Sequence, residues 1–181
     1  MQLTNLTVLL GLAASVSAID VSLRNLGNCN SNSGGHTCVN LNPNTCCGRP
    51  SGTFPSIVFY AVPTNWFIEV RGHEGSNCGR VRTVDTINRA TERCLNNGPY
   101  TGAGYSFLSR KRSGELVRED TCAATTGCTP VAPTQLFLAD GQKYDIANMD
   151  ADLYEELNSL MESGAVKADI PAVFKTFEIS A

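Results

Sequence analysis

Two neighbouring runs of β-branched and aromatic residues predict strands near the middle of the chain. The first run covers residues 56–62 and the second covers residues 66–71. Between them, Pro63-Thr64-Asn65 is suited to a turn, since proline and asparagine favour turn conformations. The pattern therefore predicts two strands that follow each other directly and pair.

Downstream of this pair the spacing of apolar residues changes twice. Residues 80–84 predict a short strand, whereas residues 85–95 carry apolar side chains at helical spacing and predict a helix. Residues 105–110 and 115–119 then predict a hairpin, whose tip carries the basic pair Lys111-Arg112.

The C-terminal part of the chain begins with a hairpin signature. Residues 136–139 and 142–146 flank Asp140-Gly141, a dipeptide that favours two-residue turns between antiparallel strands.

A helix is predicted next, because Asp150 or Asp152 can cap its start and Gly164 can end it. Its apolar side chains form one stripe, and residues 173–179 after it predict a final strand. The stripe consists of Leu153, Leu157, Leu160 and Met161.

The N-terminal residues have the features of an export signal. Residues 8–14 are apolar, and small side chains occupy Val16 and Ala18, the positions that a signal peptidase reads. We therefore expect residues 1–18 to be removed and the mature chain to start near Ile19. Residues 19–55 are rich in Asn, Ser, Gly and Pro, which predicts a largely irregular segment held by disulfides.

Composition restricts the class of protein. Hydrophobic residues make up 42% of the 181 residues and charged residues 17%, so the chain should bury a core. The net charge of −3 argues against general nucleic-acid binding. Because no later apolar stretch is long enough to cross a bilayer, we expect a secreted monomer without a membrane span.

Cysteine usage agrees with export. An even number of cysteines in an exported chain predicts four disulfides and no metal site or cofactor. Loop length favours Cys122–Cys128 and then Cys78–Cys94, while the other pairings stay open. The eight cysteines are Cys29, Cys38, Cys46, Cys47, Cys78, Cys94, Cys122 and Cys128.

Cysteines and charge divide the mature chain at the same place. Residues 19–128 contain every cysteine, with 11 basic and 8 acidic residues, whereas residues 129–181 have 3 basic and 9 acidic residues. We expect an α+β fold: a β-rich, disulfide-stabilised body with one or two helices, and an acidic hairpin-helix-strand segment packed on it as part of the same fold.

One set of residues has the chemistry for acid–base catalysis. Glu69, Arg71 and His73 alternate along a predicted strand, and His36 is the second histidine of the chain. A carboxylate base, an arginine for a phosphate and an imidazole acid suit RNA cleavage. In these residue types the set resembles small secreted guanyl-type ribonucleases, and this resemblance implies a secreted hydrolase as one alternative function.

Basic side chains are candidates for binding. They could bind an acidic glycan or an extracellular protein, or they could pair with the acidic segment of the same chain. The dipeptide Lys111-Arg112 is also of the kind that processing proteases cut. The candidate residues are Arg80, Arg82, Arg89, Arg93, Arg110, Lys111 and Arg112.

Taken over its whole length, the chain resembles the cysteine-rich small secreted proteins of filamentous fungi, which include effectors. The predicted signal, the cysteines with Cys46-Cys47 adjacent and the Asn/Gly/Ser-rich opening carry this resemblance. It implies a protein that acts by binding an extracellular or host partner. A hydrolase and a cell-wall structural protein are the alternatives.

Overall fold

The computed structural model describes residues 18–75, 78–110, 116–118 and 128–180, which form two facing β-sheets and a helical C-terminal segment. The one α-helix of the described residues is α1 (Ala151–Glu162). In chain order the strands are β1 (Ile19–Arg24), β2 (Gly35–Leu41), β3 (Thr45–Gly48), β4 (Ser56–Tyr60), β5 (Phe67–Glu74), β6 (Arg80–Asn88), β7 (Arg93–Leu95), β8 (Gly102–Arg110), β9 (Leu116–Arg118), β10 (Thr129–Val131), β11 (Gln135–Phe137), β12 (Lys143–Asp145) and β13 (Glu178–Ile179). This composition confirms the α+β expectation.

The first sheet has the strand order β13-β12-β11-β2-β1-β4-β7 and the second has the order β10-β3-β8-β5-β6, with β9 paired to β8. The pairs are antiparallel except for β10 and β3, which run parallel. The main apolar core lies between the sheets and includes Leu23, Phe59, Val70 and Tyr105. The described residues contain no helix long and apolar enough to cross a membrane.

The expectation of an irregular segment at residues 19–55 is wrong, because this segment supplies β1, β2 and β3. Strand β1 lies inside the first sheet between β2 and β4, and its residues Ile19, Val21 and Leu23 are at most 1% exposed. The turn-forming residues do not prevent strand formation, since Asn44 takes the positive φ of 62° in the turn between β2 and β3, and Asn40 takes a φ of 54° where the β1–β2 pairing is irregular.

The two strands predicted around residues 63–65 exist, but the prediction that they pair is wrong. Strand β4 lies between β1 and β7 in the first sheet, whereas β5 lies between β8 and β6 in the second. The connecting residues carry the chain from one sheet to the other, and Val62 and Trp66 pack against the core on the way.

The helix predicted at residues 85–95 is wrong as well. Residues up to Asn88 continue β6, and Arg93–Leu95 forms β7. Strand β6 pairs with β5 along the whole of Phe67–Glu74, and Ile87 is buried in the core opposite Ile68. Tertiary pairing therefore outweighs a local spacing that suited a helix. By contrast, β8 and β9 pair as the predicted hairpin, and its tip lies outside the described residues.

Three disulfides are described, and they overturn the proposed Cys78–Cys94 bridge. The bonds are Cys29–Cys94, Cys38–Cys47 and Cys46–Cys78. Adjacent Cys46 and Cys47 have separate partners because neighbouring residues of a strand point to opposite faces. Cys128 is also disulfide-bonded, while Cys122 lies outside the described residues, so the Cys122–Cys128 bridge stays a prediction.

Sheet pairing decides these partners rather than loop length. Strand β3 places Cys46 beside β8, and the Cys46–Cys78 bridge crosses β8 at Gly102. A Cβ at Gly102 would lie 2.6 Å from Sγ of Cys78 and 2.9 Å from Sγ of Cys46. The absence of a side chain at this position is therefore what lets the bridge lie against the sheet.

The C-terminal segment contains the hairpin and the helix that the sequence predicts. Strands β11 and β12 pair, and Oδ1 of Asp150 accepts a hydrogen bond from the Asp152 backbone N–H at 2.9 Å, which caps α1. The final strand at residues 173–179 is shorter than predicted. Residues Ala172–Phe177 form 3₁₀ turns in which Phe174 is fully buried, and only Glu178–Ile179 forms β13.

The apolar side chains of α1 lie in a second core. Leu157 and Met161 are at most 1% exposed, whereas Leu153 and Leu160 are partly buried. The second core is completed by Leu136, Leu138, Tyr144 and Phe174. Because β11 also pairs with β2, this core is continuous with the first sheet.

Candidate functional site

The predicted catalytic row lies on β5, where Glu69, Arg71 and His73 are opposite Ser106, Gly104 and Gly102 of β8. Nε of Arg71 is 2.6 Å from Oε1 of Glu69, and Nη2 of Arg71 donates to Oγ of Ser106 at 2.8 Å. The three β5 residues are 5%, 3% and 2% exposed, in the order Glu69, Arg71, His73. A substrate in solution therefore has little access to this row in the structure as it stands.

The surroundings of His73 favour its neutral form. Its Nδ1 lies 3.2 Å from the Gly79 carbonyl oxygen, which favours the tautomer with the proton on Nδ1. Burial lowers the pKa of His73, and the positive charge of Arg71 lowers it further. A lowered pKa reduces the fraction of His73 that carries a second proton at neutral pH, so the environment does not favour the role of catalytic acid there.

His36 lies in the other sheet, fully buried on β2 opposite Leu23 and Leu136. Its Nε2 is 3.2 Å from the hydroxyl oxygen of Tyr154 on α1, and its ring meets Phe54 edge-on at 5.8 Å. The structure therefore does not bring His36 to Glu69, Arg71 and His73.

His36 belongs instead to a polar junction between the sheets and α1. Nη1 of Arg49 donates to Oδ1 of Asn158 at 3.1 Å, and the Arg49 guanidinium lies 5.5 Å from the centre of the Tyr154 ring. Burial, followed by the charge of Arg49, lowers the pKa of His36 to about 3. Nothing in the residue pattern indicated this junction, since its members are far apart in the sequence.

The low pKa of His36 makes stability depend on pH. An unfolded histidine binds its proton near pH 6.5, whereas the folded protein excludes that proton from His36 down to about pH 3. Stability should therefore fall as the pH drops below 6.5, by up to about 1.4 kcal/mol per pH unit for this one group.

Urea unfolding at several values between about pH 5 and pH 7 measures this slope. In the His36→Asn variant, we expect the free energy of unfolding to change less steeply with pH, by up to about 1.4 kcal/mol per pH unit. The contribution of His73 to the pH dependence should remain. A His36→Asn variant with the slope of the wild type would show that His36 does not exclude a proton on folding.

The predicted binding residues Arg80 and Arg82 lie on β6, an outer strand of the second sheet. The face that carries them is exposed along its length, through Val84, Thr86 and Asn88. We call these five residues the β6 strip. Val84, at its centre, is 46% exposed.

One carboxylate orients both arginines of the β6 strip. Oε1 of Glu74 accepts from Nε of Arg80 and Oε2 accepts from Nη1 of Arg82, each at 2.6 Å. These hydrogen bonds, first from Arg82 and then from Arg80, lower the pKa of Glu74. Arg82 also donates to the carbonyl oxygens of Asn97 and Gly98, at 2.9 Å and 3.2 Å.

The other predicted basic residues differ in position. Arg89 is exposed in the turn after β6, and Nε of Arg93 lies 3.5 Å from Oδ2 of Asp85. Arg110 ends β8, whereas Lys111 and Arg112 lie outside the described residues. Where the structure describes ion pairs of the predicted binding arginines, the acidic partners are Glu74 and Asp85 of the body rather than residues of the acidic segment.

Comparison with known proteins places the chain among secreted proteins. It is 26% identical over 110 residues to an "Uncharacterized secreted protein" of Arthroderma benhamiae, which covers 59% of this chain and 54% of that protein. The match thus spans about half the length of that relative. No solved structure matches the chain.

The secreted relative and the three described disulfides show that this is a secreted, disulfide-rich protein. Two family models match, one for an N-terminal domain over residues 20–134 and one for a C-terminal domain over residues 139–181. Since the first model alone covers more than half of the chain, the protein belongs to the family whose N-terminal domain is ARB_05566_N.

Proposed function

We propose that this secreted protein acts by binding an extracellular partner through the β6 strip. The observation that carries the proposal is the exposed Val84 at the centre of the strip, next to the two arginines that Glu74 orients. An exposed apolar side chain within a polar rim is typical of the centre of a protein–protein contact.

The strip is well ordered before any partner binds. Strand β6 pairs with β5 from Arg80 to Asn88, and the Cys46–Cys78 bridge holds the chain just before it. Because Arg82 already binds Glu74 and two backbone carbonyl oxygens, its side chain has little freedom left to lose on association. The fitting partner is a protein surface with an apolar residue beside carboxylates.

The alternatives stay predictions. A ribonuclease would need Glu69 and Arg71 to meet a substrate, and both side chains are almost fully buried. A structural role in a cell wall would not require a specific contact at Val84. Both alternatives are thus separable from binding at the β6 strip by one experiment.

That experiment places a photo-crosslinking residue at Val84, or as a matched control at Val173, which is 52% exposed on the C-terminal segment. Each protein is incubated with the extracellular fluid of a producing culture and of a host culture, and adducts are analysed by mass spectrometry. We expect a discrete protein adduct at position 84 that Arg80→Glu weakens. Equal adducts at both positions, or none at position 84, would contradict the proposal.

A further inference from the structure

A groove lies between the segments that surround β4 and β7 and the end of α1. It has a volume of about 570 Å³, and four segments of the chain form its walls. These walls are contributed by Asn25 after β1, Thr53 and Pro55 before β4, Asn96, Gly98 and Pro99 after β7, and Glu162 at the end of α1.

Hydrogen bonds and a disulfide hold the walls in place. Phe54 and Tyr100 exchange two backbone hydrogen bonds of 2.8 Å and 2.9 Å, and Gly98 N–H donates to the Pro55 carbonyl at 3.1 Å. The Cys29–Cys94 bridge ties the segment after β1 to β7, which leads directly into the Asn96–Pro99 wall. The groove is therefore preformed, which lowers the entropy cost of binding a ligand.

The groove offers unused acceptor oxygens, while each of its two amide groups already uses one of its hydrogens within the protein. Nδ2 of Asn25 donates to Sδ of Met161 at 2.8 Å, and Nδ2 of Asn96 faces Oδ1 of Asn28 at 3.4 Å. No described hydrogen bond uses the Oδ1 atoms of Asn25 and Asn96 or Oε2 of Glu162. The complementary ligand is rich in donors.

The charge of the walls selects among donor-rich ligands. Glu162 is the one ionisable residue lining the groove, and no lysine or arginine lines it. Nη1 of Arg49 lies 3.9 Å from Oε1 of Glu162 but does not line the groove, so an anionic ligand would meet the carboxylate and acceptor oxygens with no cation of the lining to contact. Pro55 and Pro99 add rigid apolar rings against which C–H groups can pack.

We propose that this groove binds a neutral oligosaccharide. Such a ligand presents hydroxyl donors to the acceptor oxygens and C–H faces to the prolines, and it carries no charge that would oppose Glu162. The groove is a second site that borders the β6 strip, since Arg82 donates to the carbonyl oxygen of its lining residue Gly98, and saccharide binding does not require the proposed protein partner.

Isothermal titration calorimetry of the full mature chain tests the proposal with three hexasaccharides of equal length. Two are neutral, a β-1,3-glucan and an N-acetylglucosamine oligomer, and the third is the acidic oligogalacturonate. We expect at least one neutral hexasaccharide to bind, and the acidic one to bind about 10-fold more weakly or not at all. Absence of binding by both neutral oligomers, or tighter binding of the acidic one, overturns the proposal.

Variants locate the site. Asn96→Ala and Thr53→Val change exposed side chains on two different walls, and each should weaken binding by about 2–10-fold through a lost hydrogen bond. Asn88→Ala is the matched control, because it removes an exposed amide from the β6 strip. If both groove variants bind like Asn88→Ala, the groove is not the site.

Two further variants separate the remaining explanations. Glu162→Gln tests whether the groove holds a cation instead, because it removes the one ionisable side chain of the lining. Ca²⁺ binding by the wild type that this variant loses, with no binding of either neutral hexasaccharide, would overturn the proposal. Arg80→Glu should leave saccharide binding unchanged while weakening the protein adduct at position 84, so the two proposals fail independently.

Discussion

Replacing Leu157 with Asp should lower the free energy of unfolding by about 4 kcal/mol or more. Leu157 is fully buried in the second core, and truncating such a leucine to alanine alone costs about 2–5 kcal/mol. An aspartate adds the cost of burying a charge in an apolar site. Guanidinium unfolding followed by circular dichroism measures the change.

Glu156→Ala is the matched control, since Glu156 is the exposed neighbour of Leu157 on the same helix. Added NaCl is the second comparison, because exposed ion pairs such as Lys167–Glu178 contribute about 0–1 kcal/mol each. We propose on this basis that residues 129–181 are an integral part of the fold rather than a releasable segment. A salt effect as large as that of Leu157→Asp would refute this.

Removing the Cys29–Cys94 bridge should cost about 4 kcal/mol. The two cysteines are 65 residues apart, and closing a loop of that size in the unfolded chain corresponds to about 4 kcal/mol of conformational entropy. Cys94 is exposed and Cys29 is partly exposed, so a Cys29→Ala/Cys94→Ala variant leaves little new cavity. The measured loss in the free energy of unfolding should therefore come mainly from the restriction that the bridge places on the unfolded chain.

Hydrogen exchange should show where that loss acts. Amides between Asn25 and Gly34 should exchange faster in the variant, because the bridge is the covalent link between this segment and β7. Amides of α1 should keep their protection relative to global unfolding, which provides the internal control. A loss below about 1 kcal/mol, or faster exchange confined to α1, would be inconsistent with the entropic account.

Local signals were sufficient where neighbours in sequence are also neighbours in space. Helix α1 was predictable because Asp150 caps its first turn and Gly164 follows its end with a φ of 84°, and both features act within a few residues. The β11–β12 and β8–β9 hairpins were predictable for the same reason. Strand β1 had a readable alternation of Ile19, Val21 and Leu23, which the surrounding turn formers obscured.

Sites that depend on distant residues were not predictable. The alternation at Glu69, Arg71 and His73 correctly implied one face, but not the burial of that face. The exposed face of Arg80 and Arg82 was likewise implied by alternation, whereas its anchor Glu74 was not. The junction around His36 and the groove at Asn96 join segments that no local pattern connects.

The sequence by itself determined export-compatible cysteine content, an α+β composition and the elements whose hydrogen bonds close within a few residues. Tertiary structure alone decided that β4 and β5 belong to different sheets, that residues 85–95 extend a sheet instead of forming a helix, and that Cys94 bonds Cys29. The physical reason is that a strand gains its hydrogen bonds and its buried face from partners far along the chain. Its pairing is therefore settled by the sheet that forms, and the disulfides follow that pairing.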